Sequence, residues 1–249
     1  MKNRIVVYTS IFGEYDGLLP QKRIKGLDYV CFSDSDPKAT PWEVRKIAAS
    51  SVDPVRCAKE HKILPHRFFP DYEISIWIDG NFLVERDPGP LIEAALSDKN
   101  MAMFNHNRTL GDSRDCIYDE FKSIVRLSED AGKAIGDPEV MKKQIERYRK
   151  EGYPEHNGLI NGGVLLRRHH ADDVKRTMER WWEEICQGSR RDQLSFNYAA
   201  WKEGTLYTLI DDNIRDNRWF YMIGIHRSDY RMKLFRYKLK RLFGLKRHH

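Results

Sequence analysis

At 249 residues, with 41% hydrophobic and 12% aromatic content, the chain is long enough to bury a substantial core and lies well away from the composition of disordered polymers. The formal net charge is +6, but residues 227–249 hold nine Lys or Arg against Asp229 alone and contribute +8, leaving −2 for everything before them, so the body makes no electrostatic case for nucleic acid. No apolar run approaches the roughly 20 residues of a bilayer span, and four widely spaced cysteines without a CxxC pair argue against a disulfide framework or a zinc knuckle.

In chain order, RIVVYTSI (4–11) and DYVCFSD (28–34) read as strands of β-branched and aromatic residues, and WEVRKIA (42–48) alternates as a third. Asp53 as N-cap and Pro54 at the first helical position predict a helix over 54–63. ISIWI (74–78) is an unbroken apolar run, a buried strand, and it is followed at once by Asp79, Gly80 and Asn81. Next come a short helix within 87–96, a strand at NMAMFNH (100–106) and two charged helices near 115–130 and 137–151. GLINGGVLLRRH (158–169) reads as a strand interrupted by a Gly pair, which predicts a bulge or a close backbone approach. ADDVKRTMERWWEEI and RDQLSFNYAAWKEG are helical and LYTLI (206–210) is a late strand. Trp181 and Trp182 beside Met178 have the spacing of core packing.

Strands alternating with helices predict an α/β fold around a mainly parallel sheet, and ligands of such sheets collect at the carboxyl ends of the strands. Asp79 stands at such an end, as do Thr9 and Ser10 of the first strand and Ser33 and Asp34 of the second. A carboxylate at a strand end, with Gly80 clearing space and Asn81 adding an amide oxygen, is half a shell for Mg²⁺ or Mn²⁺. Asp-Gly-Asn is also an ordinary turn sequence.

YTSIFGEYDGLLPQ (8–21), CFSD (31–34), RCAKEHKILPHRFFPDYEISIWIDGNF (56–82), NGGVLLRRH (161–169) and RDQLSF (191–196) together resemble a family of glycosyltransferase-like domains known from plant cell-wall and bacterial surface-polysaccharide contexts. That family is similar to the metal-dependent GT-A-fold glycosyltransferases of family eight. The resemblance implies a GT-A-type (Rossmann-like) α/β fold with a mixed, mainly parallel central sheet flanked by helices. It implies one catalytic domain over 1–226, with a nucleotide-binding half to about 106 and an acceptor half over 107–226, followed by a tail at 227–249. Thr9, Ser10 and Tyr15 would line the base and ribose, Asp34 would bond the base, and Arg56 and Lys59 would face the donor. Asp79 and Asn81 would occupy the place of an Asp-x-Asp pair, with an amide where the second acid stands, and His226 is the candidate further metal ligand for Mn²⁺ or Mg²⁺. Asp192 and Gln193 would lie beside the acceptor and the sugar ring, as general base or as positioning groups, and Asn161 with Gly162 would let sugar hydroxyls approach the backbone.

The activity so implied is metal-dependent transfer of a sugar from a nucleotide-sugar donor, with a uridine base, to a surface-glycan or lipid-linked acceptor. A nucleotidyltransferase and a non-catalytic glycan- or partner-binding member of the fold remain as alternatives. In the tail, Met232, Phe235, Leu239 and Leu242 recur at helical intervals, with Lys233, Arg236, Lys240 and Arg247 on other faces. Such a basic amphipathic segment suits an anionic membrane surface through residues 228–249 and carries no nucleic-acid motif. Absent a signal-peptide pattern, the expected setting is cytoplasmic, peripheral to the inner face of the cell membrane.

Overall fold

The computed structural model describes residues 4–48, 53–132, 134–224 and 230–243, with the backbone alone at 230 and 231. A seven-stranded sheet organises the chain. Its first strands are β1 (Ile5–Ile11), β2 (Leu27–Ser33), β3 (Glu43–Lys46) and β4 (Ile74–Ile78). Its later strands are β6 (Met101–Asn105), β7 (Ile160–Arg167) and β8 (Thr208–Ile210), while β5 (Phe82–Val84) and β9 (Phe220–Met222) form a separate antiparallel pair. The order is β3-β2-β1-β4-β7-β6-β8. Every neighbouring pair is parallel except those made by β7, which runs against both β4 and β6. The mainly parallel sheet expected from the alternation of strands and helices is what forms, and it is mixed as the resemblance implies.

Central strands of such a sheet are covered on both faces and so become continuous apolar runs. In β4 all five residues are buried. Side-chain alternation splits the core into two layers. Val6, Tyr8, Trp77, Met103 and Leu165 pack under α1 (Pro54–Ile63) and α6 (Asp172–Gln187), with Trp181 fully buried among them. Val7, Ile76, Ile78, Phe104 and Val164 face α3 (Gly89–Ala95) and the β5–β9 pair. Helix α1 starts where its cap predicts, because the Asp53 carboxylate accepts hydrogen bonds from the backbone N–H groups of Val55 and Arg56.

A short helix α2 (Pro65–Phe68) follows α1, which the sequence reading passed over; Pro65 restricts the residue before it and restarts the chain at a new helical N1 position. Helices α4 (Ile117–Asp130) and α5 (Pro138–Lys150) form an excursion between β6 and β7, with a core of its own that includes Ile117, Ile145, Leu194 and Tyr198. Its base is closed by the His106 N–H, which donates to the Leu159 carbonyl at 2.9 Å. Asp192 does not open an α-helix directly: Asp192–Leu194 is a 3-10 turn, and α7 (Phe196–Glu203) begins after it. The pairing of β6 with β7 jumps between Met103 and Phe104, opposite the segment holding Gly162 and Gly163, so the predicted irregularity at the Gly pair is present. Helix α8 (Tyr230–Leu242) closes the described chain.

Candidate functional site

The carboxyl edge of the sheet, near the middle of the strand order, receives Asp79 from the end of β4. Because β7 is reversed, its first residues, Asn161 to Gly163, arrive at the same edge. The backbone N–H of Asp79 donates to the Gly163 carbonyl at 2.9 Å, which fixes the acid against β7. Gly163 has no room for a side chain, since a Cβ there would lie 2.9 Å from the Phe82 ring.

The centre of the site is an ion cluster. The Lys62 ammonium, on a side chain only 2% exposed, lies 2.5 Å from Asp192 Oδ2 and 3.4 Å from Asp79 Oδ1. Lys59, one turn earlier on the same face of α1, donates to the same Asp192 oxygen at 2.7 Å. Trp77 Nε1 donates to Asp79 Oδ1 at 2.8 Å, and Trp181 Nε1 donates to the Asp192 carbonyl at 3.1 Å. Gly162 touches this cluster with bare backbone, because a Cβ there would meet Lys62 Nζ at 3.2 Å and Asp192 Oδ2 at 3.4 Å. Two acids and two ammonium groups, 113 positions apart in sequence at their acidic ends, are thus gathered at one point.

Burial opposes ionisation of Asp192, but the ammonium groups of Lys59 and Lys62 outweigh it and hold the carboxyl far below the usual carboxylate range. Burial also works against the charge on Lys62, yet Asp192 and Asp79 together raise its pKa above the ordinary lysine value. For Lys59 burial wins, and its pKa is lowered despite Asp192. The difference follows from geometry, since Lys62 sits between two carboxylates and Lys59 bonds to one.

The other expected residues are placed as follows. Asn81 Nδ2 donates to the Gly224 carbonyl at 2.9 Å, while its Oδ1 is buried with no hydrogen-bond partner among the described residues. Thr9 is buried in β1 and its Oγ1 is likewise unpartnered. Asp34 accepts the Gly13 N–H at 2.9 Å, Ser10 Oγ donates to the Ala58 carbonyl at 3.1 Å, and Tyr15 is exposed. Arg56 turns toward the C-terminal end of α6, where it donates to the Ile185 and Gly188 carbonyls and pairs with Asp53; it does not join the Lys59–Lys62 cluster. Gln193 Nε2 reaches the Ile160 carbonyl at 3.5 Å, and Asn161 Oδ1 accepts the Gly163 N–H at 3.0 Å. His226 lies outside the described residues.

Sequence reasoning passed over Lys62, whose spacing of three from Lys59 was the available signal. It also passed over Asp16, whose carboxylate would meet a Cβ on Gly80 at 3.4 Å and so lies at the same turn as Asp79.

A divalent cation of the kind the sequence implies finds a partial set of donors here. The Asn81 Oδ1, without a partner among the described residues, and the part-exposed Asp79 carboxylate are two oxygen donors on one turn, a set that would suit an ion filling its other positions with water and phosphate oxygens.

Residues 33–208 match the family described as TOD1/MUCI70, glycosyltransferase-like domain, and the chain belongs to that family. Among its relatives, the chain is 29% identical over 204 residues to the Arabidopsis thaliana protein named "Probable hexosyltransferase MUCI70", covering 78% of this chain and 32% of that protein. It is 24% identical over 231 residues to the Arabidopsis thaliana "Alkaline ceramidase TOD1", covering 78% of this chain and 48% of that one. The chain thus spans about a third to a half of the length of these relatives. A solved structure of the bifunctional glycosyltransferase WbbM, without ligand, superposes over 96% of this chain and 45% of its own with a TM-score of 0.49 at 12% identity.

Proposed function

We propose that the chain transfers a sugar from a nucleoside-diphosphate donor, with uridine as base, to a hydroxyl of a surface-glycan or lipid-linked acceptor, and that residues 1–226 act as one catalytic domain. The observation that carries this reading is the cluster of Asp79, Lys62, Lys59 and Asp192 at the carboxyl edge of the sheet, faced by the bare backbone of Gly162. Membership of a glycosyltransferase-like family supports it.

Loss of a nucleoside diphosphate from an anomeric carbon builds negative charge on the departing phosphates, and preorganised cations beside them lower the barrier. Lys62 is held rigidly and fully charged, with Lys59 next to it, so the protein supplies fixed positive groups that need no reorganisation. Asp79 and Asn81 would hold Mn²⁺ or Mg²⁺, which when bound acts as a Lewis acid toward the diphosphate. His226 is retained in this proposal as a further ligand. Asp34, which follows β2 and accepts the Gly13 N–H, is retained in this proposal as a nucleoside contact, and Thr9, buried within β1 with a hydroxyl unpartnered among the described residues, as a residue beneath it.

Asp192 is a poor general base in this arrangement. Two ammonium groups hold its proton affinity far below neutral pH, whereas efficient bases have pKa values near the working pH. Its geometry supports a positioning role, with Lys59 and Lys62 fixed by its carboxylate and Gly162 beside it for the sugar ring.

The test is incubation of the full chain with a panel of nucleotide sugars, with and without Mn²⁺, followed by quantitation of nucleoside diphosphate and pyrophosphate. Diphosphate release that disappears in Asp79→Ala, with folding intact, is expected. Pyrophosphate release would assign a nucleotidyltransferase instead, and turnover unchanged by Asp79→Ala would remove the acid from the reaction.

A further inference from the structure

Helix α8 has two faces with different jobs. On the inward face, Leu234 and Tyr237 pack with Leu19, Leu83 and Tyr221. Glu85 is buried at 5% exposure beneath them, and both the Tyr237 hydroxyl and the Arg241 guanidinium donate to it, the latter at 3.0 Å. A buried carboxylate needs such partners, so this contact fastens the helix to the body.

On the outward face, Met232, Phe235, Leu239, Leu242 and Phe243 are exposed by 38% to 77%. At 3.6 residues per turn they fall within an arc of about 100° centred opposite Leu234, Tyr237 and Arg241. Exposed cations border this stripe on both edges, Arg236 and Lys240 on one and Lys238 on the other, and the sequence from Tyr230 to Phe243 contains no acid. Five large apolar side chains in one exposed stripe, edged by cations whose stems run alongside it, match the cross-section of a helix lying in a lipid headgroup layer.

We infer that α8 is an interfacial helix that seats the protein on an anionic lipid surface by inserting its outward stripe, while its inward face stays docked on Glu85. Charge selects this occupant. The stripe is edged by positive charge, whereas residues 1–226 carry a net −2 and are not attracted to anionic lipid, so α8 defines which side faces the bilayer. Orientation follows from the docking contacts. Glu85 follows β5, and β9 leads to Ile223 and Gly224, which hold Asn81 by backbone and side-chain hydrogen bonds. The strand pair that carries α8 is therefore the pair that borders the Asp79 turn. Lipid binding as such is independent of the reaction proposed above.

The experiment is co-sedimentation of the full chain, without donor, with vesicles of pure phosphatidylcholine and of phosphatidylcholine mixed with phosphatidylglycerol. Binding to the mixed vesicles only, weakening between about 0.1 M and about 0.5 M salt, is expected. The triple variant F235S/L239S/F243S should lower the partition constant at least about a hundred-fold with little change in the thermal midpoint, because Phe235 and Phe243 are largely in water and Leu239 is partly so. R236Q/K238Q/K240Q should lower it about five-fold per charge at low salt. Equal binding to neutral vesicles, no binding to either, or wild-type binding by F235S/L239S/F243S overturns the inference. So does a concentration-dependent dimer that this variant abolishes while vesicle binding is absent, which would assign the stripe to a second copy of the chain.

Discussion

Replacing Lys62 and Asp192 singly and together gives the most direct measure of the ion cluster. Lys62→Met removes an ammonium whose side chain is 2% exposed and leaves Asp192 with Lys59 at 2.7 Å and Asp79 with the Trp77 N–H at 2.8 Å. Breaking one side of a buried pair costs about 3–5 kcal/mol when nothing replaces it. The surviving partners place Lys62→Met at the low end, about 3 kcal/mol. Asp192→Asn leaves two ammonium groups sharing one neutral amide and belongs nearer the top, about 4 kcal/mol. In the double variant the Lys59–Lys62 repulsion and the uncompensated Lys62 charge are gone, while Lys59 still faces an amide, so the combined loss should fall short of the sum by about 2 kcal/mol, within the range of direct contacts. Urea unfolding at neutral pH, followed by tryptophan fluorescence, measures all four corners of the cycle. The pH limb has a definite sign. A carboxyl whose folded-state pKa is depressed contributes stability that is present above its unfolded value near 3.8 and is lost as pH falls below that value, so wild type should lose stability there and Asp192→Asn should lose less. A coupling below about 0.5 kcal/mol would mean that Lys62 and Asp192 do not share a buried contact, and the site described above would be refuted.

His106 and His169 are both buried, and burial first, with Arg114 beside His106, lowers each pKa from 6.5 to about 4. The unfolded chain then binds protons that the folded chain refuses, so stability should fall as pH drops from about 6.5 to about 4, by up to about 3 kcal/mol per histidine; His169→Gln should flatten part of that slope in urea midpoints, and an unchanged slope counts against neutral burial. Gly163→Ala forces a methyl against the Phe82 ring at 2.9 Å and should cost about 1–3 kcal/mol in thermal or urea unfolding while also displacing the carbonyl that holds Asp79; full stability with full donor turnover would contradict the close approach. Lys62→Met, assayed under conditions where it remains folded, should lower donor turnover about 10²–10³-fold if its ammonium stabilises the departing phosphates, and a wild-type rate would assign Lys62 to folding alone.

Much of the scaffold was legible because its signals are local. Helix α1 began at the residue its Asp-Pro start dictates, and the apolar runs of β1, β2, β4 and β6 became strands. The β5–β9 pair was not legible, since two three-residue strands separated by more than a hundred positions carry no periodicity and are defined by each other. In the site, Asp79 and the Gly162–Gly163 pair could be singled out by residue type and context, Lys59 and Asp192 by the family resemblance, and the fold brings them together. Lys62 was passed over despite its spacing from Lys59, because a lysine in a charged helix reads as solvated, and only packing of α1 against the sheet decides that this one is buried. Arg56 illustrates the converse: it shares the helix with Lys59 and Lys62, but sits far enough round the turn that the last carbonyls of α6 claim it.

The hydrogen bond from His106 to Leu159 has a further consequence for how this molecule can diversify. Departure and return points of the α4–α5 excursion are adjacent, so the intervening polypeptide behaves as a cap inserted at one spot, free to lengthen, shorten or be exchanged without moving β6 past β7. Its underside nevertheless rests on Leu194 and Tyr198, next to the turn that carries Asp192. Remodelling that cap would therefore reach the reacting centre by one route, through the turn whose Asp192 carboxylate anchors Lys59 and Lys62.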